Sequence, residues 1–273
     1  MRPNEEYVLG THDEEIARLG LQHRVWKPRA TDAWRRAGFG KGQKILDVGC
    51  GPGYATLDLA QIVGEDGAVF ALDKSRRFLD ALESARAERS LSNITTMHLD
   101  LESEEIPDLR ADGAWVRWVF AFVKDPRHLL SRIARALKGG GALVVHEYYD
   151  YFSWCTNPRS EAFEEFVRVV MTSWRAQGGE PDIGLQLYVW LKELGFTIHM
   201  VLPIIDIVPP SNFIWQWPKA FVHVNVRRLV DLGYLSEERA EEVERSFHDI
   251  EKTPGALMVT PGVMELIALN QAE

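Results

Sequence analysis

The sequence is poor in cysteine and contains no long apolar run. Its 273 residues include two cysteines, Cys50 and Cys155, which are too few for a disulfide framework or a cysteine-based zinc site, so no bound metal is expected. No apolar stretch approaches the ~18 residues that a membrane-spanning helix needs, and the first residues lack the apolar core of a secretory signal. These absences predict a soluble cytoplasmic protein with no membrane partner.

Positive charge is also scarce. The 31 lysines and arginines are outnumbered by 40 aspartates and glutamates, which gives a net charge of −9. This balance argues against a general basic surface, so no nucleic-acid partner is expected. Aromatic residues, by contrast, make up 10% of the chain and include nine tryptophans, which suits an aromatic-lined cavity as well as an ordinary aromatic core.

The most informative segment is Ile45–Gly53, which couples a short apolar strand to a turn with three glycines. Glycines at positions 49, 51 and 53 allow positive φ angles and leave no Cβ between the backbone and a ligand. The helix that follows directs its free N–H groups toward the same place. The pattern therefore predicts the floor of a cofactor site, with a tight turn that holds no ligand as the alternative.

Two familiar nucleotide motifs do not fit this turn. The dinucleotide fingerprint G-x-G-x-x-G fails because Tyr54 stands where the third glycine belongs, and a P-loop fails because no Gly-Lys-Ser/Thr follows. Asp47, at the end of the strand, would repel a pyrophosphate but would attract an ammonium group. The turn therefore favours a cofactor with a cationic end.

Strands and helices alternate after residue 40, which predicts an α/β fold with a parallel sheet and helices on both faces. The predicted strands are 44–48, 68–72, 94–99, 114–120, 142–147, 197–208 and 263–269. Pro28 is expected to end or kink a first helix before a second, short one. The predicted organisation is an N-terminal helical flap at 1–40, a core at 41–150, a helical insertion at 151–182, and completion of the core at 183–273 with a helical lid at 211–250.

The segment Asp47–Gly53, with an acid after both the second and the third strand, resembles the class I S-adenosylmethionine-dependent methyltransferases. The resemblance covers about residues 40–150 well and the last helix and strand more loosely. It implies a Rossmann-like sheet of seven mostly parallel strands, the last antiparallel and beside the sixth. It also implies S-adenosyl-L-methionine as the cofactor.

By this resemblance, Asp73 binds the ribose hydroxyls, with helix capping as a second role open to it. Asp100 accepts the adenine amino group, unless it is a solvated turn carboxylate. Arg117, in an otherwise apolar strand, either pairs with an acid such as Glu147 or lines the cofactor through its backbone. Gln22 fits cofactor contact and a solvent-facing position equally well. The expected cofactor contacts are Gln22, Asp47, Gly49, Gly51, Gly53, Asp73, Lys74, Asp100, Leu101 and Arg117.

The fifth strand ends in titratable and aromatic residues, at the sheet edge where open α/β folds bind ligands. His146 is the candidate catalytic base, and a packed histidine that donates to a carbonyl is its alternative. The candidate acceptor contacts are Trp118, Tyr149, Trp154 and His223, although most aromatic rings here would also serve to pack the insertion onto the sheet.

These features predict methyl transfer to a small, aromatic or apolar acceptor by in-line displacement, with a base needed only where the attacking atom carries a proton. The Asn/Asp-Pro-Pro-Tyr/Phe tetrad used for amino groups of planar substrates is absent at Arg117–Phe120. A methyltransferase for protein or RNA, a non-catalytic cofactor-binding protein and a nicotinamide oxidoreductase remain as alternatives. Homodimerisation is left open.

Overall fold

The computed structural model describes residues 13–271, so the first twelve residues of the predicted flap lie outside the described residues. Seven strands of the described part form one sheet, in the order β3-β2-β1-β4-β5-β10-β7, and three form a small sheet, in the order β6-β9-β8. The strands are β1 (Lys44–Val48), β2 (Ala68–Asp73), β3 (Ile94–His98), β4 (Ala111–Arg117), β5 (Leu137–Asp150), β6 (Cys155–Asn157), β7 (Thr197–Ile204), β8 (Ile207–Val208), β9 (Leu257–Val259) and β10 (Gly262–Leu269).

Strand β10 runs antiparallel to both of its neighbours, β5 and β7, while the remaining pairs of the main sheet are parallel. The expected Rossmann-like sheet is therefore confirmed, including an antiparallel last strand beside the sixth. The carboxyl ends of β1, β2 and β4 meet at one edge of this sheet, and this arrangement positions the site described below.

Eight helices surround the sheets within the described residues: α1 (Asp13–Arg36), α2 (Tyr54–Val63), α3 (Arg76–Glu88), α4 (Pro126–Ala136), α5 (Glu161–Ala176), α6 (Gly184–Glu193), α7 (Gln216–Asp231) and α8 (Glu237–Lys252). Side-chain oxygens of the N-cap residues accept backbone N–H bonds at the starts of α3, α4, α5 and α8. None of the helices within residues 13–271 is long and apolar enough to cross a lipid bilayer.

Helix α1 is continuous, so the prediction of two helices in the flap is wrong: Pro28 lies inside it. An interior proline removes one backbone hydrogen bond and costs about 3 kcal/mol. The helix continues because both sides of the proline are anchored by packing, with Trp26 before it and Ala30 and Trp34 after it all buried.

Strand β4 ends at Arg117, three residues earlier than predicted. Trp118 adopts a positive φ of 52° and its backbone N–H donates to the carbonyl oxygen of His146 (3.0 Å). A short 3-10 turn at Phe120–Phe122 follows. The chain therefore bends away from the sheet at Trp118.

The predicted strand at 197–208 is divided into β7 and β8, which belong to different sheets. Asp206 lies at the break, where its backbone N–H donates to Thr260 Oγ1 (3.0 Å) and its carboxylate pairs with Arg29 (2.7 Å). These polar contacts take the chain out of the main sheet, and hydrophobicity alone did not reveal them.

Helices α5, α7 and α8 and the small sheet form a cap, and its aromatic core also includes Trp26 of α1 and Trp118 after β4. Trp154 lies at the centre of this core, with its ring 5.1 Å from the ring of Phe163 and 5.9 Å from that of Phe221. Much of the aromatic content therefore packs the cap, as the alternative interpretation of the sequence allowed.

Candidate active site

A cavity lies at the carboxyl ends of β1, β2 and β4, and helix α1 forms part of its wall. Nine of the ten predicted cofactor contacts line it: Gln22, Asp47, Gly49, Gly51, Asp73, Lys74, Asp100, Leu101 and Arg117. Gly53 is the exception. The parallel sheet thus brings together residues that are up to 95 positions apart in the sequence.

The three glycines of the turn have different functions. Gly49, Gly51 and Gly53 have φ angles of 65°, 55° and 82°, where other residues are strained. A Cβ at Gly49 would lie 2.5 Å from Val119 Cγ2, and one at Gly53 would lie 2.3 Å from Leu82 Cδ1, so packing requires both glycines. A Cβ at Gly51 would meet no atom within 4 Å, because this glycine faces the open cavity.

Asp73 ends β2 and its carboxylate is fixed by the backbone on both sides. One oxygen accepts from the N–H of Ser75 (2.8 Å) and the other from the N–H of Gly51 (2.8 Å). Ser75 itself is the N-cap of α3, since its hydroxyl accepts from Phe78 N, so Asp73 is not the helix cap. Burial raises the pKa of Asp73, and the two backbone N–H groups oppose that rise.

Asp47 is a residue of the buried strand β1 that lines the cavity. Its Oδ2 accepts a hydrogen bond from Thr56 Oγ1 (2.6 Å), a partner on α2 that sequence reasoning missed. Burial raises the pKa of Asp47 to about 6, while the Thr56 hydroxyl acts in the opposite direction. An ionised Asp47 would present a carboxylate to a cationic ligand.

Arg117 lines the cavity and is held by helix α1. Its Nη2 lies 3.3 Å from His23 Nδ1, and its guanidinium carbon lies 5.1 Å from the ring centre of Trp118. His23 Nε2 in turn lies 2.9 Å from Asp58 Oδ2. Burial lowers the pKa of Arg117 to about 10, and nearby Asp47 acts to raise it. Sequence reasoning missed both His23 and Asp58.

Glu147 does not pair with Arg117, so that alternative for Arg117 is wrong. The Glu147 carboxylate is buried and accepts from the backbone N–H groups of Ala121 (3.3 Å) and Tyr148 (3.1 Å). It therefore fastens the turn that follows β4 to the end of β5. Burial raises the pKa of Glu147 to about 8.

Asp100 and Gln22 reach the cavity with some of their hydrogen-bonding capacity already used. Asp100 accepts from the N–H of Glu102 (2.9 Å) and from the hydroxyl of Ser103 (3.0 Å). Gln22 is 7% exposed, and its Oε1 accepts from Arg18 Nη1 (2.9 Å). Gln22 therefore faces the protein and the cavity, and the solvent-facing alternative does not hold.

Comparison with known proteins decides the family. Residues 46–145 match a sequence family described as "Methyltransferase domain". A demethylmenaquinone methyltransferase of Anoxybacillus flavithermus is 32% identical over 199 residues, which cover 67% of this chain and 80% of the relative. The chain belongs to the S-adenosylmethionine-dependent methyltransferases.

Two solved structures show the same fold as this methyltransferase. An S-adenosylmethionine-dependent methyltransferase from Mesorhizobium loti superposes with a TM-score of 0.54 and 19% identity, over 91% of this chain and 99% of the other. Coclaurine N-methyltransferase, bound to N-methylheliamine and S-adenosylhomocysteine, gives a TM-score of 0.56 and 18% identity, over 89% of this chain and 72% of the other. The enzyme uses S-adenosylmethionine as its cofactor, as the sequence predicted.

The four predicted acceptor contacts of the methyltransferase do not come together. Trp118 lines the cavity. Trp154 lies in the core of the cap, where its Nε1 donates to Met258 Sδ (3.1 Å), and His223 is an exposed residue of α7. Tyr149 packs its ring against Gly262 and does not line the cavity. Trp154, His223 and Tyr149 therefore lie outside this cavity, and their contact with an acceptor stays a prediction.

His146, the predicted base, is fully buried and does not line the cavity. Its Nε2 lies 3.0 Å from Glu265 Oε2, and its ring lies 4.9 Å from that of Trp115, which does line the cavity. Burial lowers the pKa of His146, against the opposing effect of Glu265. The ring is therefore a buried member of the core, and its role as a base stays a prediction.

Proposed function

We propose that this methyltransferase acts on a small planar or apolar acceptor that binds in the same cavity as the cofactor. The observation that carries the proposal is an apolar wall beside the predicted cofactor contacts, formed by Leu19, Trp118, Val119, Phe122 and Val123. Aromatic and aliphatic walls with a few polar groups are typical of small-molecule sites. A folded protein or an RNA helix would not enter a cavity that helix α1 partly covers.

The residues present fit S-adenosylmethionine, which supplies an electrophilic methyl group when it is bound. The Cβ-free floor at Gly51 leaves room for a ligand against the backbone. In this proposal Asp73 binds the ribose hydroxyls, Asp100 and the N–H of Leu101 bind the adenine, and Asp47 faces the ammonium group. Lys74, Gln22 and Gly49 complete the wall around it.

The chain mainly orients the acceptor and excludes water. In-line displacement needs the attacking atom ~3 Å from the methyl carbon and opposite the sulfur. Trp118 and Phe122 supply flat surfaces for this positioning. The Anoxybacillus relative is named for demethylmenaquinone, which supports a quinone-type ring, in its quinone or reduced hydroquinone form, as the acceptor class. Where the attacking atom carries a proton, a base must accept it.

The test is a methyl-transfer assay with purified protein, S-adenosylmethionine and a panel of naphthols and hydroquinones. Release of S-adenosylhomocysteine and the mass of the acceptor are measured together, and Trp118→Ala is compared with Phe152→Ala, which changes an exposed aromatic residue outside the cavity. We expect a methylated ring product and a higher KM for Trp118→Ala alone. Cofactor binding with no product from any small acceptor, or transfer to peptide or RNA fractions instead, would contradict the proposal.

A further inference from the structure

Within residues 13–271, one hydrogen-bonding group of Arg117 has no partner. Its Nη1 is buried and has no hydrogen-bond partner among the described residues, although the side chain lines the cavity. Asp47, the acid whose charge acts most strongly on it, makes its hydrogen bond with Thr56 instead. A buried guanidinium N–H without an acceptor is unfavourable, so a ligand oxygen at this point would complete its coordination.

The position of Arg117 is fixed by a chain of hydrogen bonds that begins outside the cavity. Asp58 accepts from His23 Nε2 (2.9 Å), which places the proton on Nε2 and leaves Nδ1 as an acceptor. Arg117 Nη2 lies 3.3 Å from that Nδ1 and donates to it. The guanidinium also lies over the rings of Trp115 (5.7 Å) and Trp118 (5.1 Å). One edge of the guanidinium is thus immobilised, while Nη1 is left for a ligand.

We propose that Arg117 is a receptor for a carboxylate bound in the cavity and that His23, backed by Asp58, positions it. The inference rests on the proposed function, because it places the receptor in the methyl-transfer site. Two ligands of that site carry the required chemistry: the methionine carboxylate of the cofactor, and an acidic group on the acceptor. The pair Asp47 and Arg117 offers opposite charges to a ligand that carries both an ammonium and a carboxylate group.

Calorimetric binding distinguishes the two sources without any turnover. Methylthioadenosine shares the adenosine of S-adenosylhomocysteine but lacks its amino-acid end. If the cofactor supplies the carboxylate, Arg117→Met weakens S-adenosylhomocysteine roughly 10-fold or more and leaves methylthioadenosine within about twofold. If the acceptor supplies it, protein loaded with S-adenosylhomocysteine prefers naphthoate over uncharged naphthamide, and Arg117→Met abolishes that preference.

The positioning role of His23 has its own test. His23→Phe removes the acceptor for Arg117 and should reproduce the ligand-selective loss, whereas His23→Gln retains an amide oxygen and should restore part of the affinity. Arg117→Gln, which removes the charge but keeps a polar side chain, serves as a second variant if Arg117→Met fails to fold. The inference would be overturned if a folded Arg117 variant bound S-adenosylhomocysteine as tightly as the wild type and also kept the wild-type affinities for naphthoate and naphthamide. Failure of the wild-type protein to bind S-adenosylhomocysteine would instead overturn the proposed function.

Discussion

The hydroxyl of Tyr54 lies 2.9 Å from the point that a Cβ would occupy at Gly20. The same hydroxyl donates to the backbone carbonyl oxygen of Ile16 (3.1 Å), so Tyr54 holds helix α1 against the start of α2. Tyr54 occupies the place of the third glycine in a dinucleotide fingerprint. In this methyltransferase the bulky residue fastens the flap over the glycine turn, which a glycine could not do.

Gly20→Ala is therefore expected to destabilise the protein although alanine is the better helix former. The helix gains at most ~1 kcal/mol, whereas overpacking against Tyr54 costs about 1–3 kcal/mol. We expect a net loss of up to about 2 kcal/mol in the free energy of unfolding, measured with urea. In a Tyr54→Phe background, which removes the hydroxyl, the cost of Gly20→Ala should shrink. Equal costs in the two backgrounds would show that this contact does not limit the packing of α1.

Glu147 should make the protein less stable as the pH rises. Because burial raises its pKa to about 8, the folded chain keeps a proton that the unfolded chain releases above the ordinary carboxyl range. The contribution of Glu147 to the free energy of unfolding is fully present below that range and is lost as the pH rises to about 8. The free energy of unfolding then falls with a limiting slope of about 1.4 kcal/mol per pH unit. In urea unfolding, the stability of Glu147→Gln relative to the wild type should increase across this window. If the free energies of unfolding of the two proteins changed with pH in parallel, the raised pKa of Glu147 would be refuted.

Replacement of His146 should affect folding more than turnover. His146→Ala removes a buried ring and its hydrogen bond to Glu265, at an expected cost of about 3 kcal/mol in the free energy of unfolding. Because the ring does not line the cavity, kcat measured at a temperature where the variant is folded should change by less than about threefold. A large fall in kcat that is accompanied by a changed pH profile would instead support the base predicted from the sequence.

The sequence was sufficient to predict the cavity residues that lie at or near strand ends. Asp47 and Asp73 lie in the last two positions of β1 and β2, and Asp100 lies two residues after β3. Parallel strands bring their carboxyl ends to one edge, so local patterns located these three cavity residues. The glycine turn was recognised for the same reason, although Gly53 serves packing against Leu82.

Local sequence patterns could not predict contacts between distant segments. His23 and Arg117 are 94 positions apart, and nothing local to either residue marks the pair. The sequence shows that Arg117 is unusual in an apolar strand, but it does not show that Glu147 bonds to the backbone of the turn after β4 and not to Arg117. The aromatic residues were ambiguous because composition does not distinguish the core of a cap from the wall of a cavity.

The most direct test of the account is calorimetric titration of S-adenosylhomocysteine into the wild-type protein and into Asp73→Ala. Asp112→Ala is the matched control, since Asp112 also accepts a backbone N–H bond, from Lys44 (2.7 Å), but does not line the cavity. We expect binding by the wild type and the control, and roughly 100-fold weaker binding by Asp73→Ala, from the loss of two charge-assisted hydrogen bonds. Equal affinity in all three proteins, or binding of NADH in place of S-adenosylhomocysteine, would contradict the account.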